Sequence, residues 1–370
     1  FDMVIRDQTP ATGITSISIV PYNAIVIAGE DLLSHFNVSQ WHTHGHCLRF
    51  RDADFRQHNI TRTEFLERNG QWVDGKNSYN VPSNNKFWCR IEPHHEIMVH
   101  ETDVTKLKAH VNGLKAGGWT AIDNGMKWAS ALLDPEVRPI VNSMITDGDR
   151  PNIIQDWPVD YGTEDSMKVF VLMTDGSNAR QMDLKDQLKI DPADPTKAAM
   201  SEVYYSPSMG ASDEELGYYV KHDHRGSSQR WFRPRRSNTN SVNQCVNNVS
   251  QPNDLIQLSY QDAFIRFSAK DAHKYLNRDH QSSIRNLIKS PSNQHDGGSG
   301  GDDRTEDISD EIRKQEITVF SIAFEAPSGG KTIMKYCATK LGNYYEADGS
   351  DLSYAFTSIA SQINQLRLTQ

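Results

Sequence analysis

Long apolar runs are missing from this 370-residue sequence: no stretch approaches the roughly 20 residues that cross a bilayer as a helix. No signal-peptide pattern opens it, and it starts at Phe1, in "FDMVIRDQTP", rather than at a methionine. That start predicts a piece of a longer polypeptide, so a missing anchor says nothing about the parent. Cysteine is scarce. Cys47, Cys89, Cys245 and Cys337 stand far apart and form no CxxC pair, which leaves a zinc ribbon unsupported; an even count permits two disulfides without requiring them. Positive charge is outweighed as well. With 39 Lys and Arg against 48 Asp and Glu, the net charge is -9, which disfavours a nucleic-acid partner, because neutralising phosphates takes clustered cations. The exception, "RWFRPRRS" at Arg230 to Ser237, is one short cluster with Pro234 inside it and reads as a solvated loop. Neither GxSxG, HExxH nor a phosphate loop occurs, and no spacing of Asp and Glu selects a pair for acid/base duty.

What the sequence does contain is short β-branched runs and periodic helices. An apolar fraction of 37% suffices for a core but is low for the length, so much of the chain is expected to be loop. "ITSISIVPYNAIVIAG" (Ile14 to Gly29), "VFVLMTDGSN" (Val169 to Asn178) and "ITVFSIAFEAP" (Ile317 to Pro327) read as strands bounded by turn residues. Helical patterns lie between and after them, and this alternation predicts helices covering a largely parallel sheet. In "GGWTAIDNGMKWASALLDP", Ile122, Met126, Ala129 and Leu133 fall on one helical face, closed by Pro135. In "DGSDLSYAFTSIASQINQLRLTQ", Leu352, Phe356, Ile359, Ile363 and Leu366 form a stripe that Ser350 or Asp351 can cap. Two long polar regions interrupt the pattern, 30–93 and 178–307. The second has the composition of surface loops and finishes in "HDGGSGGDDRTED", a flexible linker by composition, without the regular spacing of a calcium loop. No internal repeat occurs.

The run Val169 to Thr174 leads straight into Asp175 and Gly176. In an open parallel sheet, ligands sit outside the carboxyl ends of the strands, which makes Asp175 a candidate site residue, although Asp-Gly is also ordinary turn chemistry. Gly117 and Gly118 permit an irregular loop that presents the Thr120 hydroxyl just ahead of a helix, where it reads equally well as a ligand or as a plain cap. Taken in order, these pieces resemble a von Willebrand factor A (vWA) domain. More closely, "VPYN", "GGWTAIDNGMKWASALLDP", "VLMTDGSN", "ITVFSIAF", "YCATKLGNYYEAD" and "LSYAFTSIASQINQLRLTQ" resemble the C-terminal half of the TadG-like proteins of the tight-adherence (Tad) pilus-assembly family.

The resemblance implies an α/β fold: a vWA-like, doubly wound, mostly parallel sheet with helices on both faces and two large loop-rich insertions. It would span 1–370, with core segments 1–29, 94–177 and 308–370, a first insertion at 30–93 and a second at 178–307. A domains hold a divalent ion through Asp-x-Ser-x-Ser after the first strand, a Thr in the second loop and an Asp in the third. Thr120 matches the second and Asp175 the third, and nothing matches the first. "FDMVIRDQTPATG" resembles the end of the helix that follows the first strand, so that strand is expected upstream of Phe1. Magnesium favours octahedral oxygen coordination, so a Mg2+ or Mn2+ site is expected only as a partial one in this chain. The resemblance further implies a non-enzymatic adhesion or pilus-assembly module with a protein partner. Its place would be the bacterial cell envelope, periplasm or cell surface, its parent anchored in the inner membrane by an upstream helix.

An envelope location makes disulfides possible. Cys47 is expected to pair with Cys89, since both fall in the first insertion, where a crosslink limits the freedom of a polar segment with little core of its own. Cys245 and Cys337 are the remaining candidate pair, unless Cys337 buries a free thiol at the helix-like stretch it precedes. Two other readings remain. "QWHTHGHC" puts His42, His44 and His46 at alternate positions, which on a strand would align three imidazoles for zinc or copper and make a metalloenzyme or hydrolase, although no strand pattern surrounds them. The other alternative is a structural envelope component without metal. Asn37, Asn59 and Asn248 open N-x-S/T triplets and are expected to be unmodified in a bacterial chain.

Overall fold

A computed structural model describes residues 1–5, 13–42, 45–69, 89, 92–179, 181, 183–185, 188–191, 193–211, 217–224, 227–235, 244–247, 252–266, 288–289 and 300–368. In chain order the principal elements are β1 (Ile17–Ile19), β2 (Met98–Glu101), α1 (Ile122–Ala131), β3 (Val169–Thr174), β4 (Met200–Tyr205), β5 (Tyr218–His224), β6 (Ser227–Arg235), β7 (Gln244–Asn247), β8 (Ile256–Ser259), α2 (Gly300–Lys314), β9 (Thr318–Phe324), α3 (Ser328–Cys337), β10 (Tyr344–Ala347) and α4 (Asp351–Leu368).

A three-stranded parallel sheet of order β10-β9-β3 organises the core. Parallel strands are covered on both faces, and β9 is apolar on both. Val319 and Ala323 join Phe170 and Leu172 of β3, Ile122 and Met126 of α1, Ile308 and Ile312 of α2, and Ile333 and Met334 of α3. On the opposite face Phe320 and Ile322 pack under Ala355, Ile359 and Ile363 of α4. Each such buried side chain contributes about 1.5–3 kcal/mol, so this two-sided burial at β9 is what holds the layers. The run from Ile14 to Gly29 does not join this sheet: β1 pairs antiparallel with β2 as a separate ribbon.

The described parts of both polar regions hold more regular structure than their composition predicts. The expectation of surface loops across 178–307 is overturned by a five-stranded antiparallel sheet, order β7-β6-β5-β4-β8. The cationic residues Arg230, Arg233 and Arg235 lie on β6 rather than in a loop, with Pro234 opposite Cys245 of β7. In β4 the buried Ser201 and Val203 alternate with exposed Met200 and Glu202, so the inward positions carry too little hydropathy to announce a strand. The expected linker is corrected likewise, since α2 begins at Gly300. Its inner stripe is Arg304, Thr305, Ile308, Ser309 and Ile312, helical in spacing but mostly polar.

The described part of the first region belongs to the main core instead of having little of its own. Leu32, Leu33, Phe36, Val38, Leu48, Phe50, Phe55 and Ile60 share the cluster of Trp128. Phe36 and Phe50 each meet the Trp128 ring at 6.0 Å between centroids, near edge-to-face. Lys127, on the same helix, donates from Nζ to the carbonyls of Asp54 (2.6 Å), Gln57 (2.7 Å) and Asn59 (2.6 Å). A helix enclosed this way is buried nearly all round, so the single stripe expected for it was too narrow. On α4, Ile359 and Ile363 point inward as expected, but Phe356 is exposed and Ala355 takes the inward place.

Cys47 and Cys89 are joined in a disulfide, Cα to Cα 6.0 Å. The second candidate pair does not form. Cys337 is a free, buried thiol on α3, its Sγ 3.3 Å from Ser309 Oγ and 3.6 Å from Met126 Sδ, and burial pushes its pKa up to about 12. The Cys245 side chain, His44, Asn248 and the end of the basic run beyond Arg235 lie outside the described residues. Among the described residues no helix is long and apolar enough to cross a membrane.

Candidate functional site

Two loops meet at the carboxyl end of β3. Thr174, the last strand residue, is buried, its Oγ1 accepting from Gly176 N at 3.3 Å, and the turn this makes leaves Asp175 exposed. The other loop enters α1 through Gly117 and Gly118, whose φ angles of 157° and 87° suit glycine. Its backbone is tied to Asn23, whose carbonyl accepts from Ala121 N at 2.6 Å. Thr120 sits directly against the second loop: a Cβ on Gly176 would come within 2.5 Å of Thr120 Oγ1, so any side chain at 176 would have to displace the Thr120 hydroxyl. Gly330 of α3 packs against the Gly176 carbonyl from the other side.

Hydrogen bonds lock the two loops together. Ala179 N donates to Thr120 O at 2.7 Å, and Asn178 Oδ1 accepts from Ile122 N at 2.8 Å. The cap of α1 is therefore supplied by Asn178 from the other loop, and Thr120 is not the plain cap that its position allowed; Ala121 holds the N-cap place without a side-chain bond. Asn178 Nδ2 donates onward to Asp302 Oδ1 (2.8 Å) and Thr305 Oγ1 (3.0 Å) at the start of α2. Beneath the rim, the Tyr22 hydroxyl donates to Met173 O at 2.5 Å, with its ring seated over Gly125. Burial raises the Tyr22 pKa, and the neighbouring Cys337 and Asp175 add to that, so the phenol keeps its proton and its bond.

The structure thus brings Thr120 and Asp175 to one rim, beside Trp119 at 44% exposure and the exposed Ser177. A hydroxyl, a carboxylate and an indole suit recognition of a polar partner surface. They do not by themselves hold a divalent cation: two side chains fall short of octahedral coordination, and among the described residues no three or more His, Cys, Asp or Glu are gathered. His42 and His46 of the histidine triplet do not lie on a strand. His42 is buried with Nε2 3.1 Å from Asn69 O, and His46 lies 4.0 Å from Glu30, both ahead of the strand that starts at Leu48. Sequence reasoning missed Tyr22, Asn23 and Asn178. Asn178 carried a signal, as a strong capping residue just past a strand end, whereas nothing local marked the long reach of Tyr22 to Met173.

No family model matches the chain, and no curated protein matches it. Among solved structures, the vWF domain of the type V pili tip protein Mfa5 from Porphyromonas gingivalis is similar over 72% of this chain and 74% of that one, at 12% identity and a TM-score of 0.30. A likeness of that size does not define a fold, which rests on the strand order and register above.

Proposed function

We propose that this chain is a non-enzymatic binding module of the bacterial envelope, with a vWA-like, doubly wound core whose rim of Trp119, Thr120, Asp175 and Ser177 engages a protein partner in adhesion or pilus assembly. The observation that carries this reading is the locking of two loops from distant parts of the chain into one rim, with an exposed carboxylate beside a hydroxyl at the carboxyl end of a parallel strand. The Cys47 to Cys89 disulfide supports an envelope or extracellular setting, where such bonds persist. Mg2+ or Mn2+ enters this reading only with oxygen ligands beyond those of Thr120 and Asp175. A histidine-built metalloenzyme has less support, since His42 and His46 are engaged separately.

Replacing Asp175 tests the proposal. In cells expressing the full-length protein with Asp175→Ala, attachment or pilus assembly should fall by about tenfold or more, the scale of losing one central contact. Protein level and melting temperature should hardly move, because an exposed rim substitution costs about 0.5 kcal/mol or less. Thr120→Ala should behave alike, and the double variant should add little to either, as for residues sharing one contact. Normal attachment by both single variants would leave Asp175 a turn residue.

A further inference from the structure

One motif of the sequence has no part in the rim. The described residues of "RWFRPRRS" lie on β6, which has β5 on one side and β7 on the other. Residues paired in register share a face of the sheet. Lys221 pairs with Trp231, Arg233 with Val246 and Arg235 with Gln244, and the two-residue period sets all of them on one face. The other face carries Val203, Val220 and Phe232 in one line across β4, β5 and β6, then Pro234 opposite Cys245. Val203 is fully buried. Apolar positions on one face and charged ones on the other are the alternation of an antiparallel sheet with a packed side and a wet side.

The cationic face is uneven along the sheet. Its acids, Glu202 and Asp223 by the same alternation, belong to β4 and β5, while β6 and β7 carry no Asp or Glu. Tyr219, also of this face, is buried, and Tyr260–Arg266 packs on β4 and β8, so packing is concentrated at that end. Trp231, Arg233 and Arg235 stand toward the other end, about 7 Å apart along one strand. Arg230 falls on the apolar face, opposite His222. A chain of net charge -9 thus gathers a row of cations and one indole on a single face of one strand.

The residue types name the ligand chemistry. A guanidinium is a planar fork that meets the paired oxygens of a carboxylate, sulfate or phosphate with two parallel hydrogen bonds. An indole offers a flat apolar face on which a ring can stack. An evenly spaced row of both on an extended strand matches a polymer that repeats both features, a ring and an anion. Nucleic acid has them too, but a net charge of -9 opposes so dense a polyanion. The Cys47 to Cys89 disulfide supports a setting outside the cytoplasm, where acidic polysaccharides are the polymers of this kind at a cell surface.

We propose that the face of the antiparallel sheet carrying Lys221, Trp231, Arg233 and Arg235 binds an acidic polysaccharide, its carboxylate or sulfate groups on the two arginines and a sugar ring against Trp231. The proposal shares the envelope setting with the binding reading but not its rim. Asp175→Ala should bind the polymer as the native chain does, so either site can fail alone.

Calorimetric titration of the full chain decides it, with alginate as the carboxylated probe, heparin as the sulfated one and neutral dextran as the control. At least one acidic polymer should bind and dextran should not. Replacing both arginines, Arg233→Gln with Arg235→Gln, should weaken binding by about tenfold or more and lower the slope of log affinity against log salt by about two. Trp231→Ala should weaken binding with the slope unchanged, because it removes no charge. Arg230→Gln removes the same charge from the opposite face and should change affinity by less than about twofold. Should the double variant melt below the native chain, phenylglyoxal labelling of the native chain reads the same question: bound polymer should shield Arg233 and Arg235 but not Arg230. No binding of either polymer at low salt overturns the proposal, as do equal losses from Arg230→Gln and Arg233→Gln or equal shielding of all three arginines. Tighter binding of oligo(dT) or polyglutamate also overturns it, since the face then belongs to nucleic acid or to an acidic protein segment.

Discussion

His100 shows how one residue can be fixed in its chemistry by its surroundings. It lies buried on β2 with a left-handed φ of 42°, its amide donating to Ser18 Oγ at 3.0 Å. Nε2 faces the Leu132 carbonyl at 2.8 Å, and a carbonyl only accepts, so Nε2 carries the proton and Nδ1 accepts from Ser16 Oγ at 2.7 Å. Burial holds the ring neutral, with a pKa of about 4; Arg150 and Lys168 push the same way against the opposing Leu132 bond. The unfolded histidine titrates near 6.5, so below that pH the unfolded chain takes up a proton that the folded one refuses. Stability is complete above about pH 6.5 and is lost as pH falls toward 4, by up to about 3 kcal/mol. Asp123 works with the opposite sign: burial raises its pKa to about 6, so its contribution is present below its unfolded value and lost as pH rises through 6. A comparison with His100→Asn, which tolerates the backbone angle, separates the two. Its unfolding free energy should fall less than that of the native chain between pH 6.5 and 4; parallel curves would contradict the assignment.

At the scale of elements, Asn178 joins three segments by one side chain, and the prediction follows from which of its atoms does what. Asn178→Ala removes the cap on Ile122 N and should cost about 1–2 kcal/mol. Asn178→Asp keeps that acceptor but sets a carboxylate against Asp302 where an amide donated, so at neutral pH it should be at least as damaging, by urea unfolding. A fully stable Asn178→Asp protein would mean that the bond to α2 contributes nothing. These elements also mark how far the sequence could be read. β3, β9, α1 and α4 were legible as elements from their apolar runs and periods, although burial departs from the pattern at exposed Val171, Met173 and Phe356 and at buried Asp123 and Lys127. α2 was not, because its buried positions include Arg304 and Thr305, made tolerable by Asp52 and by the helix's own Gly301 carbonyl, which hydropathy cannot register. The rim was half legible. Asp175 and Thr120 stood at recognisable loop positions, while Tyr22 and Asn23 come to them only through long-range packing.

For the whole molecule, the question is how the second region is attached. It leaves and returns through one antiparallel pair, Asp183–Leu184 with Ile288–Lys289, so the intervening chain closes a hairpin. Buried Lys189 is paired with Glu67, which also accepts from Arg49 at 3.2 Å, and this ties the region to the first one. The polar stretch 300–307 belongs to neither loop nor linker. Arg304 donates to Asp52 at 2.6 Å and approaches Asp123 at 3.6 Å, while Asp302 and Thr305 hold Asn178. Where the region is cut should therefore decide whether the rest folds. Replacing 185–287 with a two-residue Asn-Gly turn between the paired Leu184 and Ile288 keeps the hairpin and all of α2, and a long surface excursion is closed at little entropic cost. Glu67, left without Lys189, keeps its bond to Arg49 at 3.2 Å and so stays paired in the shortened chain. This shortened chain should run as a soluble species with one cooperative thermal transition. Removing 178–307 instead deletes Asn178, Asp302, Arg304 and Thr305, uncaps α1 and strands Asp123 in the core, so it should aggregate. Equal behaviour of the two deletions on a sizing column would show that the first residues of α2 contribute nothing to the core.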